Sequence, residues 1–167
     1  MWIGVISDTA GVLMPGVVNV FDGVDYILHC GNIGDPRVLE ELSQVAPITG
    51  VIGGGDSAEV YPFERTLYRK WFQTGVYVHH RIGEPTNLHR NTQKIIDQLE
   101  PQVVLFGSTG ESFNNRIEGR LFFNPGAAGR RRVKQPRSVG LLEISGHSVR
   151  AEIVPIDEGA AVPQRPE

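Results

Sequence analysis

One design recurs along this chain: a short apolar run that stops abruptly at a polar, glycine-rich turn. The first example is the run from Met1 to Gly11, in which Trp, Ile and Val residues lead to Asp8. Short Val- and Ile-rich runs bounded by turn residues are typical of strands covered on both faces. Ligands of open α/β sheets bind beyond the carboxyl ends of such strands, so Asp8 is the first candidate for a functional site.

The same design returns in three later segments, which are residues 25–35, 103–110 and 121–126. Between them, Asp35 and Pro36 predict a helix start, because Asp is a good N-cap and Pro suits the first helical position. Apolar residues at helical spacing follow until Pro47, and residues 48–52 predict the next strand. This β-α-β order predicts parallel strands.

Further elements are predicted towards the C-terminus. A second long helix is expected from about Asn87 to Leu99, ended by Pro101, and a final hairpin from residues 138–144 and 148–155. The segment from Glu59 to Trp71 has no clean period. Its aromatic and basic residues indicate either a hydrophobic cover over the sheet edge or a surface that grips bases or a protein partner, and we favour the cover.

Composition places the chain in an ordinary class. It has 167 residues with a formal net charge of −3, which fits one domain and gives no global basic field for nucleic acid. The single cysteine, Cys30, excludes an intramolecular disulfide framework, and no apolar stretch is long enough to predict a membrane span. We therefore predict a cytoplasmic protein.

The polar turns carry a family resemblance. They read Asp8-Thr-Ala10, Gly31-Asn-Ile-Gly-Asp35, Gly53-Gly-Gly-Asp56, His79-His80 and Gly107-Ser-Thr-Gly110, followed by N-P-G-A-A-G at 124–129. In this order they resemble the motifs D-x-H, G-D-x-x-D, G-N-x-D, H-G, G-H-x-H and N-P-G-S-A-G. These motifs belong to the small bacterial and archaeal phosphodiesterases of the calcineurin-like metallophosphoesterase superfamily.

The resemblance implies a fold. It covers about residues 1–156 and implies an α/β protein built as a two-sheet αββα sandwich, with a single domain at 1–156. Pro, Gly and Ala dominate the last residues, so 157–167 are predicted to form a weakly ordered tail.

The resemblance also implies a damaged metal site. The family holds two divalent metals through side chains at the positions that are numbered 8, 10, 32, 54, 79, 108 and 110 in this chain. Asp8 and His79 keep the family's residue, and a slip of one position would make His80 the ligand instead. Ala10, Gly54 and Gly110 have no donor, Ser108 is a poor neutral ligand, and Asn32 brings no charge.

Two metal ions about 3.5 to 4 Å apart repel strongly and need anionic ligands between them. The remnant ligands Asp8, Asn32 and His79 do not meet that need, so we expect no metal cofactor. The alternative is one divalent ion such as Mn or Zn, held by Asp8, Asn32, His79 and His80.

Three functions follow. The first is a catalytically degenerate homologue that serves as a non-catalytic binding or scaffold protein. The second is an active phosphodiesterase or phosphatase with a mononuclear or metal-free site, for which the catalytic candidates are Asp8, His79 and His80. The third is a metal-free phosphate or nucleotide sensor. Its candidate ligand-binding residues are Asn32, Gly54, Ser108, Asn124 and Arg130, the last of which begins the basic run 130–137.

Partners and supporting residues complete the expectations. An unknown protein partner is expected, and a homo-oligomer is a second expectation, formed through hairpin edges or the aromatic segment Tyr61 to Phe72. His29 is predicted to pack inside the protein, and Asp56 to order the loop after the Gly53 to Gly55 run.

Overall fold

The computed structural model describes residues 1–129 and 135–157. The elements in chain order are β1 (Trp2–Ile6), α1 (Pro15–Phe21), β2 (Tyr26–His29), α2 (Pro36–Ser43), β3 (Ile48–Gly50), β4 (Thr66–Trp71), β5 (Thr74–His79), β6 (Gly83–Glu84), β7 (Asn87–Leu88), α3 (Arg90–Leu99), β8 (Val103–Leu105), β9 (Phe113–Ile117), β10 (Arg120–Asn124), β11 (Ser138–Ser145) and β12 (Ser148–Pro155).

The strands form two five-stranded sheets and one small hairpin. Sheet A has the order β12-β11-β1-β2-β3, and its β1, β2 and β3 run parallel. Sheet B has the order β4-β5-β8-β10-β9, and its β5, β8 and β10 run parallel. The predicted β-α-β unit and the final hairpin are both confirmed, with β2 parallel to β3 and β11 antiparallel to β12.

Three apolar layers hold the sandwich together. The central layer lies between the sheets and includes Ile3 and Val5 of β1. A second layer joins sheet A to α1 and α2, and there the ring of Phe21 packs so closely on Gly4 that a Cβ at residue 4 would lie 2.8 Å from it. The third layer joins sheet B to α3. The predicted two-sheet αββα sandwich in a single domain is therefore confirmed.

Helix α2 begins as predicted. Asp35 is its N-cap and accepts a hydrogen bond from the backbone N–H of Arg37, and Pro36 occupies the first turn. Helix α3 begins later than predicted, at Arg90 rather than Asn87. Residues 87–88 pair with 83–84 in a small hairpin instead, so they are extended.

The aromatic segment contributes to the core in the manner of a cover. Tyr61 packs in the helix-side layer of sheet A and Trp71 in the layer between the sheets. The guanidinium of Arg69 lies 5.0 Å from the ring centres of both Tyr26 and Trp71 and donates a hydrogen bond to the Tyr26 hydroxyl. These contacts agree with the cover interpretation, while Phe72 stands exposed at the β4–β5 turn.

The predicted tail, 157–167, lies outside the described residues except for Asp157, which pairs with Arg137. No helix in the described part of the chain has the length and apolar character needed to cross a membrane.

Candidate functional site

Four strand ends meet at one edge of the sandwich. Asp8 follows β1, Asn32 follows β2, His80 follows β5, and Ser108 follows β8. Backbone hydrogen bonds join these ends, from Asp8 N–H to Gly31 O at 3.0 Å and from Gly107 N–H to His80 O at 3.1 Å. These four candidates from the sequence therefore lie together at the carboxyl ends of the strands.

The Asp8 carboxylate is the centre of this cluster, and three protein donors already serve it. Its Oδ1 accepts a hydrogen bond from the Asn32 side-chain amide at 2.9 Å. Its Oδ2 accepts from the Ser7 hydroxyl at 2.8 Å and from the Ser108 backbone N–H at 3.1 Å. Ser7 was not among the residues singled out from the sequence, because an isolated serine at the end of a strand gives no distinctive signal.

His80 is the histidine that faces Asp8. Its Nδ1 lies 2.7 Å from the backbone oxygen of Cys30, which can only accept, so Nδ1 carries a proton. In the neutral ring the lone pair is therefore on Nε2, and this atom lies 4.0 Å from Asp8 Oδ1. His80 is thus oriented towards the site by the turn after β2.

His79 lies away from this site, whereas the alternative, His80, faces Asp8, and a ligand role for either residue stays a prediction. Along β5, Val76 and Val78 face the layer between the sheets, whereas Tyr77 faces α3. Alternation puts His79 with Tyr77, whose ring centre is 6.2 Å away, and within 3.4 Å of the Thr92 hydroxyl in α3. Burial lowers the pKa of His79, and the neighbouring His80 lowers it further.

The positions without donors differ in the space around them. A Cβ at Gly54 or Gly110 would meet nothing within 4 Å. By contrast, a Cβ at Gly107 would lie 3.0 Å from His80 Nδ1 and 3.1 Å from Asp8 Oδ2, and closer still to the Ser7 hydroxyl. Glycine is therefore needed at 107 to pack the site, while 54 leaves an open margin beside it.

The backbone around the site is held in an unusual conformation. Four residues that are not glycine have positive φ, a conformation that costs free energy for residues with a Cβ. They are Asp8 (52°), Ala10 (47°), Asn32 (59°) and Ser108 (75°). All four occupy positions where the family motifs identified in the sequence would place a metal ligand.

Asp56 orders the loops around the site, as predicted. Its carboxylate accepts hydrogen bonds from the backbone N–H groups of Ile33, Gly34 and Gly53, at 2.8 to 3.1 Å. These bonds tie the turn after β2 to the turn after β3 and use the carboxylate for structure.

The side chain of Asn124 is bonded inside the protein, and its ligand-binding role stays a prediction. It is fully buried, and its amide donates to Gly107 O at 3.3 Å and to the Thr109 hydroxyl at 3.1 Å. Its Oδ1 accepts from Gly126 N–H at 2.9 Å. Because its polar atoms are engaged in this way, Asn124 fixes the turn after β8. Arg130 lies outside the described residues.

His29 is buried, and its ring nitrogens link two turns. Nδ1 accepts from Gly31 N–H at 3.1 Å, so Nε2 carries the proton and donates to the Thr9 hydroxyl at 3.0 Å. The Thr9 hydroxyl in turn donates to Ile33 O at 2.9 Å. Burial lowers the pKa of His29 to about 4, which agrees with the predicted packed role.

Comparisons with known proteins identify the family. Residues 1–147 match the calcineurin-like phosphoesterase superfamily domain, and the chain belongs to that superfamily. It is 31% identical over 161 residues to a probable metallophosphoesterase of Methanothermobacter thermautotrophicus, with 92% of each chain covered.

Solved structures share the fold. Vacuolar protein sorting 29 of Cryptosporidium parvum matches with a TM-score of 0.79 at 19% identity, covering 95% of this chain and 92% of that one. A novel archaeal phosphodiesterase matches with a TM-score of 0.72 at 19% identity, covering 92% of this chain and 100% of that one.

The residues present do not fit the two metals of the family. Asn32 directs an amide N–H at Asp8, in the place where a bridging carboxylate would share a cation with it. Across residues 1–129 and 135–157, no three His, Cys, Asp or Glu side chains converge in a way that could hold a metal ion. A dinuclear centre needs anionic bridging ligands, and this donor set does not supply them.

Proposed function

We propose that this chain is a non-catalytic member of the superfamily that acts as a binding or scaffold protein. The observation that supports it best is the hydrogen bond from the Asn32 amide to the Asp8 carboxylate. A carboxylate at position 32 would repel Asp8 and require a cation between them, whereas the amide satisfies Asp8 without one. In this proposal, the protein keeps the backbone turns of the metal site and functions without bound metal.

The chemistry of the family gives the second argument. Phosphodiester hydrolysis of this type uses metal ions to generate a hydroxide and to clamp the phosphate oxygens. Positions 10, 54 and 110 offer no side-chain donor, so neither task has the necessary ligands. The fold itself does not decide the matter, because it carries both a protein named for vacuolar sorting and one named as a phosphodiesterase.

One observation favours the alternative of an altered hydrolase. His80 directs Nε2 at the site beside Asp8, so this pair would be the donors for a single Mn²⁺ or Zn²⁺ ion. The phosphate or nucleotide sensor stays a prediction, because the basic run it depends on begins at residues 130–134, outside the described part of the chain. The cytoplasmic location and the homo-oligomer also stay predictions.

The test measures metal content and hydrolysis in parallel. Protein purified without chelator is analysed by mass spectrometry of its metals and assayed with bis(p-nitrophenyl) phosphate and added Mn²⁺. We expect less than about 0.1 metal per chain and no turnover above background, because binding requires ligands that are absent. About one metal per chain with Mn²⁺-dependent turnover that Asp8→Ala removes would establish the altered hydrolase instead.

Asn32→Asp is the matched variant, and it changes one amide group to a carboxylate. The variant should lose stability without metal, because two carboxylates then lie together, and should regain it when Mn²⁺ is added or the pH is lowered. Exposed Asn91→Asp is the control and should show neither response. An Asn32→Asp protein as stable as the parent, with no response to Mn²⁺, would remove the argument from the amide.

A further inference from the structure

We propose that the notch between Asp8 and His80 binds one primary ammonium group on an unbranched alkyl stem, as carried by a lysine of a protein partner or by a free alkylamine. The inference rests on the proposed function, since it takes the site to be free of divalent metal. It names what the retained frame recognises in place of two cations.

The hydrogen-bond inventory leaves two acceptors open. Asp8 Oδ2 already accepts from Ser7 and Ser108, whereas Oδ1 accepts only from Asn32 among the described residues. A carboxylate oxygen has two lone pairs, so Oδ1 keeps one position. The Nδ1 of His80 is held by Cys30, so Nε2 is the atom of this ring that can accept. Both acceptors belong to the same notch.

The distance between the two acceptor atoms determines which group can bridge them. Oδ1 and Nε2 are 4.0 Å apart. A donor nitrogen about 2.8 Å from each would see them at an angle of about 90°, near the spread of two N–H bonds of an ammonium. A metal ion about 2.1 Å from each would require about 145°, far from the tetrahedral angle that zinc prefers.

The charge and the small size of the notch also favour an ammonium over a metal ion or a guanidinium. Asp8 contributes one negative charge, which a single positive charge balances, and Asn32 directs a donor N–H rather than an anionic oxygen at it. An ammonium is a compact point charge with three donors, whereas a guanidinium is a broad planar fork. The Asp8 and His80 side chains are only 13% and 9% exposed, which favours the compact group.

Glycine provides the entrance. Gly53 packs against the His80 ring, and the next residue, Gly54, would place a Cβ with nothing within 4 Å. The chain is therefore open at the residue that follows the glycine packed on His80, and the proposal places the alkyl stem there. A larger side chain at 54 should obstruct that room without disturbing the fold, because Gly54 does not have the positive φ that would exclude one.

The experiment is an NMR titration of the full chain. The signals observed are the Ser108 amide, which donates to Asp8, and the His80 ring nitrogens. n-Butylammonium chloride is compared at constant ionic strength with tetramethylammonium chloride, which has the same charge and no N–H donor. We expect saturable shifts with n-butylammonium at a Kd of about 10 mM or below, and none with tetramethylammonium. Equal shifts with both probes, or none with either, would overturn the proposal.

Three variants test whether the ammonium binds in the notch. Asp8→Asn should weaken binding at least about tenfold, because it removes the charge. Gly54→Leu should weaken it as well and keeps the test valid if Asp8→Asn fails to fold. Exposed Asp22→Asn is the matched charge control and should bind like the parent. Undiminished binding in a folded Gly54→Leu protein would place the ammonium elsewhere and contradict the proposal.

Two further measurements are made. The first separates a partner's lysine from a free amine, and the second separates failure of this inference from failure of the proposed function. A peptide with one lysine flanked by glycines that binds at least about tenfold more tightly than n-butylammonium supports a partner's lysine, and equal affinity supports a free amine. Stoichiometric Mn²⁺ is then added to the parent. Broadening of the Ser108 signal would mean that the proposed metal-free function fails, whereas no broadening and no ammonium response would overturn this inference alone.

Discussion

Three histidines lie near the carboxyl ends of the strands, and the contacts of each ring decide what it can do. His29 is enclosed, with both nitrogens bonded inside the protein. His79 packs on the α3 side against Tyr77. His80 has one nitrogen held by Cys30 and the other directed at Asp8. Of these three histidines, His80 is therefore the one that directs a ring nitrogen at Asp8.

The buried His29 makes stability depend on pH. Its pKa is lowered to about 4 in the folded protein, mainly by burial, so between pH 6.5 and 4 the unfolded chain binds the proton more strongly. Stability should therefore fall on acidification, by about 1 to 2 kcal/mol between pH 7 and pH 5 from this group. Urea unfolding at the two pH values measures the difference.

His29→Gln tests the assignment. The variant should be less stable than the parent at pH 7, because it loses part of the bonding to Gly31 and Thr9, yet it should lose less stability on acidification. His147→Gln, at an exposed histidine, is the control and should leave the pH dependence unchanged. If His29→Gln kept the full acid-dependent loss, another group would be responsible.

Sequence reasoning placed the candidate site at the strand ends but did not decide between His79 and His80. Asp8, Asn32 and Ser108 follow strands whose apolar pattern is clear, so their meeting at one edge could be predicted. His79 and His80 are adjacent, and choosing between them requires the side from which β5 is buried. The alternation of Val76, Tyr77 and Val78 does not reveal this, since both faces of the strand are covered by apolar layers.

At the scale of elements, the two sheets meet at their edges through side chains. Strands β9 and β12 are edge strands of different sheets and do not pair with each other. The Asn114 amide donates to Ala151 O at 2.8 Å, and the Arg116 guanidinium donates to Val149 O at 2.9 Å. These side chains cover carbonyls that would otherwise be open to another strand.

Arg116→Ala should weaken this seam. The variant loses the bonds to Val149 O and Gly119 O, which we expect to cost about 1 kcal/mol of unfolding free energy in urea. It should also self-associate at lower concentration, measured by light scattering, because an edge carbonyl is uncovered. Exposed Arg90→Ala is the control for loss of charge. Self-association that rises equally in both variants would assign the effect to charge rather than to the seam.

Some of the helices and strands could be predicted from the sequence, and others could not. Strands with continuous apolar runs and the helix capped by Asp35 were predictable, because local pattern and cap agree there. The start of α3 was not, since residues 83–88 form a two-stranded hairpin too short to leave a period in the sequence. Strand β4 was equally hidden, because Arg69 and Lys70 interrupt its apolar pattern.

For the whole molecule, the chain has the fold of the superfamily, while several positions of the family's metal motifs carry no side-chain donor. Positions 8, 10, 32 and 108 have positive φ with non-glycine residues, and Gly54 and Gly110 leave space at positions where the family pattern has ligand side chains. A fold stabilised by three apolar layers does not depend on the metals for its core. The sandwich therefore does not require the ligand side chains of the family pattern.

The same separation of frame and ligands predicts that the metal site can be rebuilt. Ala10→His, Asn32→Asp, Gly54→Asn, Ser108→His and Gly110→His together restore the family's residues, while Asp8 and His80 are already in place. We expect about one or two Mn²⁺ per chain and hydrolysis of bis(p-nitrophenyl) phosphate above the parent's level. Gly110 has φ of 74°, so its substitution should cost about 1 to 2 kcal/mol before metal is added.

The matched control keeps Asn32 and makes the other four changes. Without the bridging carboxylate it should bind Mn²⁺ at least about tenfold more weakly, because the repulsion between the two ions is then less compensated. A folded five-residue variant that takes up no metal would mean that the frame, and not only its ligands, has departed from the family.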